Sequence, residues 1–97
     1  MSEFGAGSVL RTSDGELIAA GVRVRVFNMH LISGGTASVI ALINGGSSGT
    51  TYIKETGTAN TGKTFDYGTE GHLFPNGCYA DVDANIVSVL VSCRKEI

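Results

Sequence analysis

Between Val22 and Ile32 the apolar side chains fall on every second residue, and midway the phase reverses. Val22, Val24 and Val26 alternate with Arg23 and Arg25. Beyond Val26 the apolar set becomes Phe27, Met29 and Leu31, with Asn28 and His30 on the other face. A period of two marks a strand with one covered face. A helix cannot use it, because a helix groups residues three and four apart. The reversal predicts a β-bulge, or a strand that crosses from one sheet to another. Nowhere do apolar residues recur at helical spacing over three turns. Ser33-Gly34-Gly35 ends this segment.

Other segments follow the same rule. Val9–Thr12 and Glu16–Ala19 flank Ser13-Asp14-Gly15, and Asp-Gly between short apolar runs predicts a hairpin. Thr36–Ile43 is apolar on both faces, with Val39, Ala41 and Ile43 on one and Ile40 and Leu42 on the other, which suits either a central strand or one that faces a partner subunit. Thr50–Glu55, Thr64–Tyr67 and Gly71–Phe74 are shorter strands, the last stopped by Pro75-Asn76-Gly77. Cys78, Ala80 and Val82 share a face, as do Val87, Val89, Val91 and Cys93. With Ala84-Asn85 as the turn, these two runs read as a hairpin that pairs Ala80 with Val89 and Cys78 with Val91. The two cysteines then sit on a diagonal, about 7–8 Å apart and beyond comfortable disulfide reach, so free thiols are expected. Turn signals recur roughly every 8–12 residues, which predicts an all-β fold. The expected architecture is a single-domain antiparallel β-sandwich of about seven or eight strands, jelly-roll or Greek-key like. It would cover residues 9–97, preceded by a flexible N-terminal arm, residues 1–8.

Composition narrows the function. A chain of 97 residues supports one modest core. With 42% hydrophobic and 16% charged residues, it is too apolar for disorder. A formal net charge of −2 gives little support for binding nucleic acid. The apolar runs are too short for a membrane helix, so no membrane partner is expected.

Several motifs carry less than they spell. Gly57-Thr58-Ala59-Asn60-Thr61-Gly62-Lys63-Thr64 matches the phosphate-binding pattern G-x-x-x-x-G-K-T. That loop works only where a helix starts at the lysine, and Phe65-Asp66-Tyr67-Gly68 does not start one. Asp81-Val82-Asp83-Ala84-Asn85 opens like a calcium loop, but Ile86 replaces the glycine and Ser92 the final glutamate. His30 and His72 are the only histidines and have no partners at ligand spacing. No serine sits in a G-x-S-x-G elbow. No catalytic residue, metal ligand or cofactor is nominated, and the expected protein is not an enzyme.

Val22–Ile32 with Ser33-Gly34-Gly35-Thr36, then Phe65-Asp66-Tyr67-Gly68, then Gly71-His72-Leu73-Phe74-Pro75-Asn76-Gly77-Cys78-Tyr79-Ala80-Asp81-Val82-Asp83 and the valine-rich last strand, resemble small β-rich proteins encoded among the virion genes of tailed bacteriophages. The similarity spans Val22 to Cys93. It implies a virion component, either a capsid decoration (cement) protein or a fibre element. Such a protein would assemble in the host cytoplasm, form a homotrimer, and dock on the major capsid protein or another virion protein. The two-faced strand suggests where copies meet, with Val39, Ile40 and Leu42 as the expected oligomer interface. The alternative is a small carbohydrate-binding sandwich. With no tryptophan and only Tyr52, Tyr67 and Tyr79, a row of aromatic sugar platforms is hard to assemble.

Overall fold

The computed structural model describes residues 7–96, and within them the chain is all β. Nine strands follow one another: β1 (Gly7–Arg11), β2 (Gly15–Ile18), β3 (Val24–Ser33), β4 (Ser38–Asn44), β5 (Thr50–Gly57), β6 (Gly62–Asp66), β7 (His72–Phe74), β8 (Cys78–Val82) and β9 (Ile86–Lys95). They form two antiparallel sheets packed face to face. Sheet 1 runs β1-β9-β3-β6, with β7 also paired to β3, and sheet 2 runs β2-β8-β4-β5. Strands β6 and β7 share one position, β6 against Asn28–Ile32 and β7 against Val24–Val26. Eight strand positions in this order are the connectivity of a jelly roll. Of the expected arm, Gly7 and Ser8 belong to β1, and residues 1–6 lie outside the described residues.

The phase reversal in β3 is a β-bulge. Val26 pairs with Cys93 and Asn28 with Ser92, which leaves Phe27 as the extra residue. Val24 and Val26 before it, and Met29 and Leu31 after it, are all fully buried. Phe27 itself turns aside and packs under the Arg94 guanidinium, 5.3 Å from the ring centre. The bulge is also where β3 changes partner from β7 to β6, and Tyr67 N donates there to Phe27 O.

Neither expected hairpin forms. β1 and β9 lie in sheet 1 while β2 and β8 lie in sheet 2, so Ser13-Asp14-Gly15 and Ala84-Asn85 are corners between sheets. The corners are built by carboxylates. Asp14 Oδ1 accepts from Val82 N at 2.6 Å, and Asp83 accepts from Val39 N at 2.8 Å and Asn85 N at 2.6 Å. The Arg11 side chain donates to the Ser13 and Asp14 carbonyls and holds the first corner shut. The expected ladder pairs Ala80–Val89 and Cys78–Val91 therefore do not form, although all four residues belong to the one core, Cys78 and Ala80 from sheet 2 and Val89 and Val91 from sheet 1. A second bulge at Val87 turns that residue outward and leaves Ile86, Val89, Val91 and Cys93 facing in.

The core lies between the sheets. Sheet 1 supplies Val24, Val26, Met29, Leu31, Phe74, Val89 and Val91; sheet 2 supplies Leu17, Ile40, Leu42, Ile53, Cys78 and Ala80. One end is closed by a polar pair, in which Ser33 and Ser38 share a buried hydroxyl hydrogen bond of 2.6 Å. The free edge beside β5 is closed by aromatic rings. Tyr52 leans on Phe74 at 5.2 Å and on His72 at 5.7 Å, and Tyr67 Oη donates to Glu55 Oε2 at 3.0 Å. Burial, and then Glu55, push the Tyr67 hydroxyl above the ordinary tyrosine range.

The Pro75-Asn76-Gly77 turn carries the chain from sheet 1 to sheet 2 and ties down two other loops. Gly21 N donates to Asn76 O, Gly45 N to Gly77 O, and Asn76 N to the Asn44 side chain. Gly77 has φ +94°, and a Cβ there would lie 2.4 Å from the Ala19 carbonyl oxygen. Gly77→Ala therefore meets both a disfavoured backbone and a rigid neighbour. We expect a loss of about 1–3 kcal/mol, read from chemical denaturation. An unchanged midpoint would show that this turn relaxes freely.

Candidate functional site

The expected interface residues do not share a surface. Ile40 and Leu42 are 0% exposed and belong to the core, so they cannot meet a partner. Val39 alone of the three faces outward, half-buried. The reason is the place of β4 in its sheet, between β5 and β8. Its inner row is covered by sheet 1. Its outer row is covered by neighbouring side chains, Ala41 between Lys54 and Asp81, and Ile43 between Thr51 and Tyr79. Ala41 and Ile43 are consequently buried within the single chain. Apolarity on both faces of this strand thus reflects a central position. The outer face keeps a shallow depression of about 300 Å³, lined by Val39, Ala41, Thr51, Lys54, Asp81 and Asp83.

Among the described residues the exposed large aliphatic side chains lie on the opposite sheet, while the half-covered Tyr52 ring stays on β5. Leu10 is 60% exposed, Val87 56%, Leu90 40% and Ile32 38%, and all four sit on the outer side of sheet 1. Leu10 pairs directly with Leu90, Leu90 with His30, and His30 with Thr64. Ile32 pairs with Ser88, one diagonal step from Leu90, and the bulged Val87 lies beside it. The stripe is flanked by Ser8, Ser92 and Asn28 in the next row. Its side chains carry no lysine, arginine or carboxylate, and Asp66 at the end of the Ser8 row stands at its margin. A signal for it was present in the sequence, since Leu10 and Leu90 fall on the polar phase of their strands. The bulge that exposes Val87 carried no such signal.

Charge gathers at one end of sheet 1. Glu96 accepts from Arg25 at 3.1 Å and Arg94 at 3.2 Å, with Arg23 at 3.9 Å. The hydrogen bond from Arg25 holds its carboxyl below the usual range against the opposing effect of burial, and the hydrogen bond from Arg94 adds to the lowering. Because Arg94 also covers Phe27, this cluster fastens the end of β9 to the bulge.

The motif residues are engaged in structure. Lys63 and Thr64 lie on β6, opposite Leu31 and His30, where a phosphate loop would start its helix. Asn60 N donates to Gly34 O, and Thr61 O accepts from Ser33 N, so this loop is bound to the one after β3. In the aspartate-rich corner both Asp83 oxygens serve backbone amides. Among the described residues no three His, Cys, Asp or Glu side chains group as a metal site. His30 Nδ1 and Thr64 Oγ1 are 2.8 Å apart, while His72 packs on Tyr52 and Phe74. The tyrosines make no ring contact with one another among the described residues.

Both cysteines are free and buried, but in opposite sheets rather than on a hairpin diagonal. Burial, followed by the neighbouring Cys93, raises the Cys78 thiol to about 12, and burial also raises Cys93. A thiol held this far from thiolate is a poor nucleophile. We expect a disulfide reagent to modify neither cysteine in the native protein at neutral pH and both after denaturation. Rapid native labelling would place a thiol at the surface, and no labelling after denaturation would reveal a bridge.

No protein-family model matches the chain, and no curated protein matches it in sequence.

Proposed function

We propose that this chain is a non-enzymatic structural protein of a tailed-bacteriophage virion, a capsid decoration or fibre element. Its partners are copies of itself and the major capsid protein or another virion protein. It would work in the virion after assembly in the host cytoplasm. The observation that carries the reading is a small jelly roll whose exposed large aliphatic side chains, Leu10, Ile32, Val87 and Leu90, collect on one sheet face. Single exposed apolar residues are ordinary on a soluble surface, but a contiguous stripe marks a contact. Jelly rolls serve capsids and lectins alike, and fold alone does not choose between them. The stripe favours assembly, because it is aliphatic and offers no aromatic platform for a sugar. The test is a mass-spectrometric inventory of purified particles from the phage that encodes the chain, with copy number measured against the major capsid protein. Many copies per particle are expected, and absence from the particle rejects the proposal.

A further inference from the structure

We propose that the outer face of sheet 1 is a self-association surface, covered by the same face of a second copy of this chain. The inference deepens the virion reading and rests on it only in requiring a protein that assembles. Leu10 and Leu90 are directly opposed on neighbouring strands, and Ile32 and Val87 continue the stripe toward the β3–β4 end. Around them stand Ser8, Ser88, Ser92, Asn28, His30 and Thr64. An aliphatic centre with a polar, hydrogen-bonding rim is the anatomy of a protein interface.

Three observations select a second copy as the occupant. The first is charge. Because the stripe carries no charged side chain, bringing two copies of it together opposes no like charges, and no partner of opposite charge is called for. A capsid surface or nucleic acid recognised through charge would instead meet the arginines around Glu96, which lie at the end of the sheet. The second is shape. The stripe runs from the edge strand β1 across β9 to β3, and a sheet face packs readily on another sheet face at about 10 Å. The third is area. A standard interface takes about 800 Å² from each partner. The molecule measures 39 × 29 × 19 Å, so a broad side that holds the stripe and its polar rim, with Asp66, Arg25 and Arg94 toward its margins, is of the required order.

A patch that covers itself makes an isologous contact with two-fold symmetry. The assembly predicted here is therefore a dimer, in place of the trimer that the phage resemblance implies. Sheet 2 would then face away from the two-fold contact on both copies. Its shallow depression and the Tyr79–Asp81 row would stay free for docking on a lattice.

The experiment is light scattering coupled to gel filtration on the full chain, from micromolar to millimolar concentration, with far-UV circular dichroism of each variant. The wild type is expected at twice the 10.0 kDa chain mass. Leu90→Glu and, separately, Val87→Lys should keep the strand spectrum and weaken association about tenfold or more, as removal of a central apolar anchor does. Asp81→Lys on the opposite face should leave the dimer intact. A wild-type monomer at millimolar concentration overturns the inference. So does a three-copy mass, a dimer that survives Leu90→Glu with its fold intact, or equal loss from Asp81→Lys. The particle inventory keeps the two claims apart. Monomers found in virions would remove the contact and keep the function, and dimers absent from virions would do the reverse.

Discussion

Leu42→Glu is expected to unfold the protein rather than separate its copies. Leu42 is fully buried at the middle of β4, paired with Ile53 and Ala80. Exposing or deleting such a side chain forfeits about 1.5–3 kcal/mol of burial. A carboxylate left in its place, with no partner, adds several kcal/mol more unless it takes up a proton. A domain of this size has about 5–15 kcal/mol in total, so the two losses together consume most of its stability. Val39→Glu is the matched control, on the outward face of the same strand and half-buried already. It should fold, with a loss near 1 kcal/mol. Circular dichroism and the yield of soluble protein measure both. A Leu42→Glu variant that folds fully but runs at a lower mass would return the inner row of β4 to a subunit interface.

The strands were legible because alternation is a local property. Val22–Ile32 announced a strand close to the Val24–Ser33 observed, and its phase reversal a bulge or a sheet crossing. Burying Val24, Val26, Met29 and Leu31 on one side takes one extra residue between them, and the bulge supplies it. Pairing was not legible. Alternation says which side chains share a face, but two strands joined by a short turn can pair with each other or turn a corner into opposite sheets. The deciding groups are Asp14 and Asp83, whose carboxylates accept amides from Val82 and Val39 on other strands. An aspartate at a turn is so ordinary that its long-range partner leaves no trace in sequence.

The same limit explains the candidate surface. Thr36–Ile43, apolar on both faces, suits either a central strand or one that meets a partner subunit, and alternation alone does not choose between them. A central strand flanked by Tyr79, Asp81, Thr51 and Lys54 finds that cover within its own sheet. The residues that lack cover are on strands that look less apolar. Leu10 lies on β1, which has only one neighbour, and Val87 faces out only because β9 bulges beside Ser33. Exposure here follows from strand order, and strand order was the part that alternation could not supply.

Phe74→Ala should give the second large effect, and it tests how a three-residue strand is held. Among the described residues Phe74 is the largest fully buried side chain, yet β7 contributes only His72, Leu73 and Phe74 to the ladder with Val24–Val26. So short a strand gains little from its hydrogen bonds alone, so its place depends on the ring that enters the core. Tyr52 and His72 lie against that ring at 5.2 and 5.4 Å, so its removal opens the sandwich edge as well as a cavity. Phenylalanine-to-alanine changes in cores cost about 3–5 kcal/mol. For a domain of this length each kcal/mol lowers Tm by about 4–8 °C, so a fall of at least about 12 °C is expected in a thermal melt. Phe74→Leu, which refills much of the space, should recover more than half of it. Amide exchange should report the loss first at Leu73 and Phe74, with the centre of β9 still protected. A cost near 1 kcal/mol would mean that the turn after β7 anchors this strand instead. The bonds responsible would then be Gly21 N to Asn76 O and Gly45 N to Gly77 O, and Asn76 would become the residue whose loss frees the edge.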